Sequence, residues 1–510
     1  MEMNNTMVHA GLPLSWVIAV GVISLLIVAR AVLRAPAALA NKPLTTRTDQ
    51  HTGFARWFRN PWPQVVLRIT VALLFLLVIY SGIAGTPIPE RNFATVITWG
   101  LWWTGLILFV LFAGTAWCAV CPWDSLAQWF VRRRWWQRGD STSSMNLRVP
   151  GWLRSVWPAS LMFIGFTWLE LGFGVTRSPY GTAMLALLML VLATTSMALF
   201  ERKAFCRYFC PVGRTIGMYS QLAPVELRPL NADTCASCQT LECYHGTEQV
   251  EPCPTRLVMG RFHQNTYCTS CGACIRSCPH QNVSLQMRGF ASEIKQQARP
   301  HLDEAWFMLI LLALTSFHGV TMMAFWGKNI SQFARSVGDS GSLLVSFSLF
   351  MILFMVAVVL FFILFWKITS VSIKPELRHM LFSRLAFTAI PLAFAYHLSH
   401  NVGHLFRENT GTGSVWLNPT GAGTLPLSAY DIQCRMESAM IVDSGIHAAQ
   451  ALLILSGLYL AVEILRKRMS ELYLDHSPVV GIKLLPMLLF VVGASAFNLW
   501  LLMNPMVMRY

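Results

Sequence analysis

Residues 268–279 read Cys-Thr-Ser-Cys-Gly-Ala-Cys-Ile-Arg-Ser-Cys-Pro. Four cysteines within eleven residues, spaced x2, x2 and x3, suit an iron–sulfur cube. Cys268, Cys271 and Cys274 can wrap one corner of a cube, while Cys278, followed by Pro279, swings away to a second. Gly272 beside them serves a tight turn.

A partner run lies upstream: Cys235-x2-Cys238-x4-Cys243, then Cys253-Pro254. The crossing rule assigns Cys235, Cys238, Cys243 and Cys278 to one [4Fe–4S] cluster. Cys268, Cys271, Cys274 and Cys253 take the other. The x4 gap and the longer spacing to Cys253 depart from the usual bacterial run. Zinc also favours Cys pairs, but its sites separate the pairs by a long gap. Disulfides are disfavoured in a reducing cytoplasm.

Outward from these runs the chain turns apolar. Hydrophobic residues make up 55% of the 510 and charged residues 12%. Mean hydropathy is +0.50. This excludes a disordered chain and an ordinary soluble enzyme, and points to a polytopic membrane protein. The net charge of +15 is expected from basic loops on the cytoplasmic side, not from nucleic-acid binding.

Apolar runs long enough to span a bilayer fall at about 12–33, 65–85, 95–117, 152–175, 182–200, 306–326, 342–366, 384–404, 439–465 and 484–504. Arg30, Arg34, Lys42, Arg47, Arg56 and Arg59 follow the first. Arg132, Arg133, Arg134 and Arg138 follow the third, and Arg202, Lys203 and Arg207 the fifth. Lys374 and Arg378 follow the seventh; Arg466, Lys467 and Arg468 follow the ninth. Every odd-numbered span is therefore expected to end in the cytoplasm, with both termini outside. No Lys or Arg precedes the first span, so an uncleaved anchor is expected there and not a signal peptide. The expected fold is all-α and polytopic, with about ten transmembrane helices and an inserted cytoplasmic two-cluster ferredoxin-like domain. The expected division is a five-span membrane domain (1–200), the insert (201–305) and a second five-span domain (306–510).

Cys118-x2-Cys121-Pro122 ends the third span and Cys206-x3-Cys210-Pro211 the fifth. Topology brings all four to one face. They suit a third metal centre or a dithiol/disulfide pair; the plainer reading is two Cys-Pro helix terminators. Helix-end pairs of this kind beside a paired ferredoxin motif resemble the membrane-bound polyferredoxins of the NosR, NapH and CcoG type. The resemblance covers about residues 65–290. It implies integral-membrane electron transfer through [4Fe–4S] clusters, often linking quinol to a periplasmic reductase. The chain departs from it in lacking a large N-terminal flavin-binding domain of the NosR kind, and in carrying a five-span C-terminal half that the shorter members lack.

That half places His318 in span six, His397, His400 and His404 in span eight and His447 in span nine. Imidazole in hydrocarbon is costly and calls for a partner. A helical rise of 1.5 Å puts His318 about 18 Å and His397 about 20 Å from the cytoplasmic edge. Two imidazoles facing across a bundle can hold a b-type haem. The expected axial pair is His397 and His447, with His318 as substitute. His400 and His404 lie nearer the outer surface, where copper is a weaker option. The plainer reading is interhelical hydrogen bonding or a quinol pocket. Asp443 and Glu170 suit proton transfer or helix capping, and Cys434 reads as an inert odd thiol.

These features suggest an electron conduit between quinol or a periplasmic redox protein and a cytoplasmic partner or further subunit, in an inner membrane. No nucleophile–base arrangement marks a catalytic centre, so an electron-transfer subunit is expected. The competing readings are an assembly or thiol-redox factor for another membrane enzyme, and a redox sensor.

Overall fold

The computed structural model describes residues 8–33, 58–132, 144–299, 301–339, 344–371, 373–408, 413–471 and 479–507. Arg34, Lys42, Arg47, Arg56, Arg133, Arg134 and Arg138 lie outside them. The long helices are α1 (Leu14–Leu33), α2 (Trp62–Ala84), α3 (Phe93–Ala113), α4 (Trp157–Gly172) and α5 (Pro179–Leu199). After the insert come α6 (Leu302–Thr321), α7 (Leu344–Val371), α8 (Ala389–Glu408), α9 (Ala429–Ser470) and α10 (Val479–Met503). Among the described residues nine segments are long and apolar enough to cross a bilayer. The protein is a multi-pass membrane protein.

The fourth expected span departs from this set. It forms a helix of only 16 residues, ended by Gly174 in the left-handed region and a 3₁₀ turn at Val175–Arg177. Span nine departs the other way. α9 runs for 42 residues, about 63 Å and twice a bilayer's apolar depth. Its start is set by a reciprocal cap: Ser428 Oγ accepts from Asp431 N, and the Asp431 carboxylate accepts from Ser428 N. Hydropathy alone misses these polar first turns.

Burial separates the helices into centre and rim. The apolar window of α8 is 94% buried and that of α6 83%, against 11% for α1 and 17% for α7. α8 is also the most polar of the four, with three histidines, Asn401, Arg407 and Glu408 along it. Hydrocarbon cannot satisfy such groups, so the helix is enclosed by others. The rim exposes side chains such as Leu14, Leu25, Leu73 and Leu353, a surface suited to lipid tails. α8 and α9 approach closely at Gly457, where a Cβ would stand 2.4 Å from the Ala395 Cβ and 2.9 Å from the Pro391 carbonyl oxygen.

Helix direction gives the bundle two distinct ends. At one, the strands β1 (Val8–His9) and β4 (Met506–Val507) pair antiparallel. The loops after α2 and before α9 meet at the same end, with Thr86 N donating to the Thr420 carbonyl at 2.7 Å. The Cys-rich insert sits at the other. Its frame is the antiparallel pair β2 (Val225–Pro229) and β3 (Val283–Met287). Buried Arg288 donates to Glu226 at 3.0 Å, to Glu293, and to the Ser220 and Ala223 carbonyls. Arg468 of α9 donates to the Ile294 and Ala298 carbonyls, tying the insert to the membrane helices.

A Gly457→Val substitution is expected to force α8 and α9 apart. Overpacking should cost about 1–3 kcal/mol, read as a lower unfolding midpoint in detergent, with a Gly21→Val control, where an added Cβ meets nothing within 4 Å, unchanged.

Candidate metal centres and the histidine row

The first cysteine set surrounds one hollow. Cys235, Cys238, Cys243 and Cys278 line it together with Met259, Gly260, Pro279 and Asn282. The local fold follows from short-range chemistry. Asn231 caps the helix Ala232–Ser237 that carries Cys235, and Leu241, at φ 49°, turns the chain so that Cys243 points back. Asn282 serves two sulfurs: its side chain donates to Cys235 Sγ at 3.3 Å and its backbone N–H to Cys278 Sγ at 3.4 Å. Such donors favour a thiolate. A Cβ at Gly260 would come within 3.0 Å of the Cys235 Cβ, so a larger residue there would press on the hollow's wall.

The second set comprises Cys253, Cys268, Cys271 and Cys274, all within electrostatic reach of one another. Cys253 Sγ accepts from Leu257 N at 3.2 Å and Cys268 Sγ from Ser270 N at 3.4 Å. Gly272 adopts φ 71° at the start of the helix Ala273–Ser277. Any side chain there would also meet Phe58. Cys278 thus stands with the upstream run and Cys253 with the downstream one. The two sets adjoin, since Cys243 lies within electrostatic reach of both Cys253 and Cys274.

The third set lies where α3 and α5 end. Cys121, Cys206 and Cys210 line a hollow with Trp123, Asp124, Lys203 and Phe205. Cys118 is not part of that lining but lies within reach of Cys210 and of Cys268. The two Cys-Pro steps begin new helices, Pro122–Arg132 and Pro211–Tyr219, with Pro at N1. They are therefore starts as well as stops. Cys210 caps its helix, with Sγ accepting from Gly213 N at 3.2 Å. The buried pair Lys203–Asp124 closes at 2.6 Å, and Asp124 stands 4.0 Å from Cys206 Sγ. The first and third hollows are alike in size, each with a cavity volume of about 20 Å³.

Electrostatics bear on what these thiols do. Burial pushes the Cys118 thiol up to about 12, with Cys210 adding to the rise. Burial likewise raises Cys121, Cys206, Cys210, Cys253, Cys268 and Cys274. A nucleophilic or exchanging thiol needs the reverse, a lowered pKa and access. A metal cation offsets the cost of a buried thiolate. Among the described residues no three His, Cys, Asp or Glu side chains converge on a point suited to a single ion. Four thiolates on one zinc would stand only about 4 Å apart. Several thiols lining one hollow are a donor set compatible with an iron–sulfur cube.

His397 is engaged at both ring nitrogens: Trp103 Nε1 donates to Nε2 at 3.1 Å, and Tyr219 Oη stands 3.2 Å from Nδ1. His318 and His400 touch edge to face, with ring centroids 5.2 Å apart. His400 and His404 stand at 4.7 Å. His447 lies on α9, in the field of Arg407 and Asp443. An axial pair needs a free nitrogen on each ring, on opposite faces of the iron. Both nitrogens of His397 are engaged, so the expected pair of His397 and His447 as placed does not fit haem. Copper at His400 and His404 also lacks a third converging ligand.

Sequence reasoning missed several partners. His9, beside β4, reaches the far end of α8, where Arg407 donates to its Nδ1 at 3.1 Å. Arg407 also pairs with Asp443 at 2.7 Å, and His404 Nδ1 meets Glu408 at 2.6 Å. The i,i+4 spacing of His404 and Glu408 was the available signal. Nothing in the sequence signalled His9. Cys434 lies within α9, apart from the other twelve cysteines.

No family model matches the chain, and no solved structure does. A stretch of 101 residues is 36% identical to "Putative electron transport protein YccM" of Escherichia coli (strain K12). Part of the chain therefore resembles an electron transport protein. The match covers 19% of this chain and 25% of that relative. The chain thus aligns with only a quarter of the relative's length.

In metal-free protein the Cys118 thiol should resist iodoacetamide near neutral pH and react only as the pH climbs toward 12. An unfolded thiol ionises near 9, so the folded state should lose stability from there upward. Mass-spectrometric alkylation and unfolding midpoints across pH check both; prompt labelling at neutral pH would return the site to the dithiol reading.

Proposed function

We propose that this protein carries electrons within a membrane through metal centres held by its three cysteine sets. The observation that carries the reading is the hollow ringed by Cys235, Cys238, Cys243 and Cys278. Its counterpart at Cys121, Cys206 and Cys210 has nearly the same size. Iron–sulfur clusters, when bound, supply one-electron redox chemistry. The chain's residues hold them in a row. Cys243 adjoins Cys253 and Cys274, and Cys268 adjoins Cys118, so the second set stands between the first and the third. The backbone donors to sulfur and the Asp124–Lys203 pair set the local field. By the basic-residue rule the insert faces the cytoplasm of an inner membrane and the paired chain ends face outward.

The electron donor in this reading is a membrane quinol. A cavity between α3, α4 and α5 is walled by Trp99, Trp102, Trp103 and Trp123 and holds Glu170. Its lining includes Pro211 and Val212, the residues next to Cys210. A flat apolar ring fits such walls, and Glu170 is placed to take a proton. On the insert side a soluble redox protein or a further subunit would exchange electrons with the first set. Haem has no part in this reading, because both nitrogens of His397, the expected ligand, are engaged. The assembly-factor alternative needs helix-end thiols of low pKa, and desolvation raises the pKa of Cys118, Cys121, Cys206 and Cys210.

An anaerobic iron and sulfide count tests the reading. About eight irons per chain are expected for two cubes and about twelve if the third set holds a cube as well. Cys210→Ser should remove the third set's share and leave the other eight. Fewer than about four irons in freshly purified protein would sink the proposal.

Quinol entry has its own check. Duroquinol should reduce the centres in the intact chain, and Glu170→Gln should slow that reduction on the order of 100-fold. Reduction by dithionite should be unaffected.

A further inference from the structure

α8 carries His397, His400, His404 and Glu408 at successive one-turn steps, the spacing that stacks side chains along one helix face. His397, His400, His404 and Glu408 are all buried. Such residues are rare within a membrane span and mark ion or proton paths. The outer links of the row are short. The His400 and His404 rings stand 4.7 Å apart, and His404 Nδ1 meets Glu408 Oε1 at 2.6 Å. His318 of α6 joins beside His400 at 5.2 Å.

We infer that this row is a proton path from the interior of the membrane bundle to the end that carries the paired chain termini. It rests on the electron-transfer reading, because its purpose is to move a proton where an electron arrives or leaves.

The chemistry favours a path over a structural staple. Imidazole is at once donor and acceptor, so a proton gained at one ring nitrogen can leave from the other. A proton passed along the rings toward Glu408 breaks one N–H bond and forms another at each step, and the last step forms an O–H bond on Glu408. The inner end abuts the electron route: His397 accepts from Trp103, which walls the quinol cavity, and meets Tyr219, one turn past the cavity residue Thr215. The outer end opens onto charge. Arg407 bridges Asp443 and His9, and the His9 ring lies 6.2 Å from that of His404. Burial, with Arg407 beside it, pulls His9 down to about 4, so its ring is neutral near pH 7 and able to accept. The other groups packed on the row are Tyr396 of α8 itself, Asp443, His447 and Gln450 of α9, and His318 of α6. The row spans twelve residues from His397 to Glu408, about 17 Å of helix.

The test uses the full chain, purified anaerobically with its iron and reconstituted in lipid. An electrode cycles the metal centres while infrared difference spectra are recorded, with no quinol present. The expected result is a carboxyl band that Glu408→Gln abolishes and imidazole bands that His400→Phe reduces. Both variants should keep the wild-type iron count, which shows that they fold. Duroquinol-driven reduction should slow on the order of 100-fold in Glu408→Gln, and added formate should restore it, as a structural defect would not allow. Centres that cycle at the electrode without carboxyl or imidazole bands overturn the path and leave electron transfer standing. Bands unchanged in Glu408→Gln overturn it equally. Centres that respond to the electrode but not to duroquinol overturn only the quinol reading, and the Glu408 band still decides the path.

Discussion

Twelve thiols are gathered in three sets, Cys210 buried and the others half-buried, and a thiolate drawn out of water is costly without a compensating cation. The rest of the architecture follows from meeting that cost. Backbone N–H groups of Leu257, Ser270, Gly213 and Asn282 point at sulfur. Two Cys-Pro steps end a membrane crossing and begin a new helix with the sulfur already at its N-terminal end. The insert is fastened by Arg288 and Arg468 through carbonyl oxygens and buried carboxylates. These contacts bring the Cys268 side of the insert within reach of Cys118 at the membrane edge.

The same low dielectric arranges the centre of the bundle. α8 carries side chains that lipid would reject, and α6 and α9 enclose it. Gly457 allows the closest approach, and Gly319 leaves room for the Tyr396 ring, whose Oη would lie 1.7 Å from a Cβ there. Histidines that looked like haem ligands by depth alone find other company. Trp103 and Tyr219 take both nitrogens of His397, and the remaining rings follow one another toward Glu408. Apolar residues would fill the same space inside a membrane at lower cost than a polar row.

Taken together, the cysteine sets and the histidine row run away from each other from the neighbourhood of α3. Electrons would pass from the aromatic cavity toward the insert, and protons along α8 toward the opposite end. Separating the two along one bundle requires only that each path touch the cavity wall. Pro211 and Val212 provide that contact on one side and Trp103 on the other.

Local pattern was enough for the class of molecule. Apolar runs longer than a bilayer is thick must cross it, and cysteines two residues apart on a tight chain must share a neighbourhood; both are short-range facts readable from Cys268–Pro279 and from the spans. Tertiary structure alone decided the rest. Whether Cys278 stands with Cys235, whether Cys121 meets Cys206, and what each imidazole faces depend on contacts between residues from tens to nearly four hundred positions apart. His397 shows the limit: its depth suggested an iron ligand, but a tryptophan 294 positions away holds the nitrogen that iron would need. Helix periodicity sets which face a side chain occupies, and only the packed bundle sets what lies across from it.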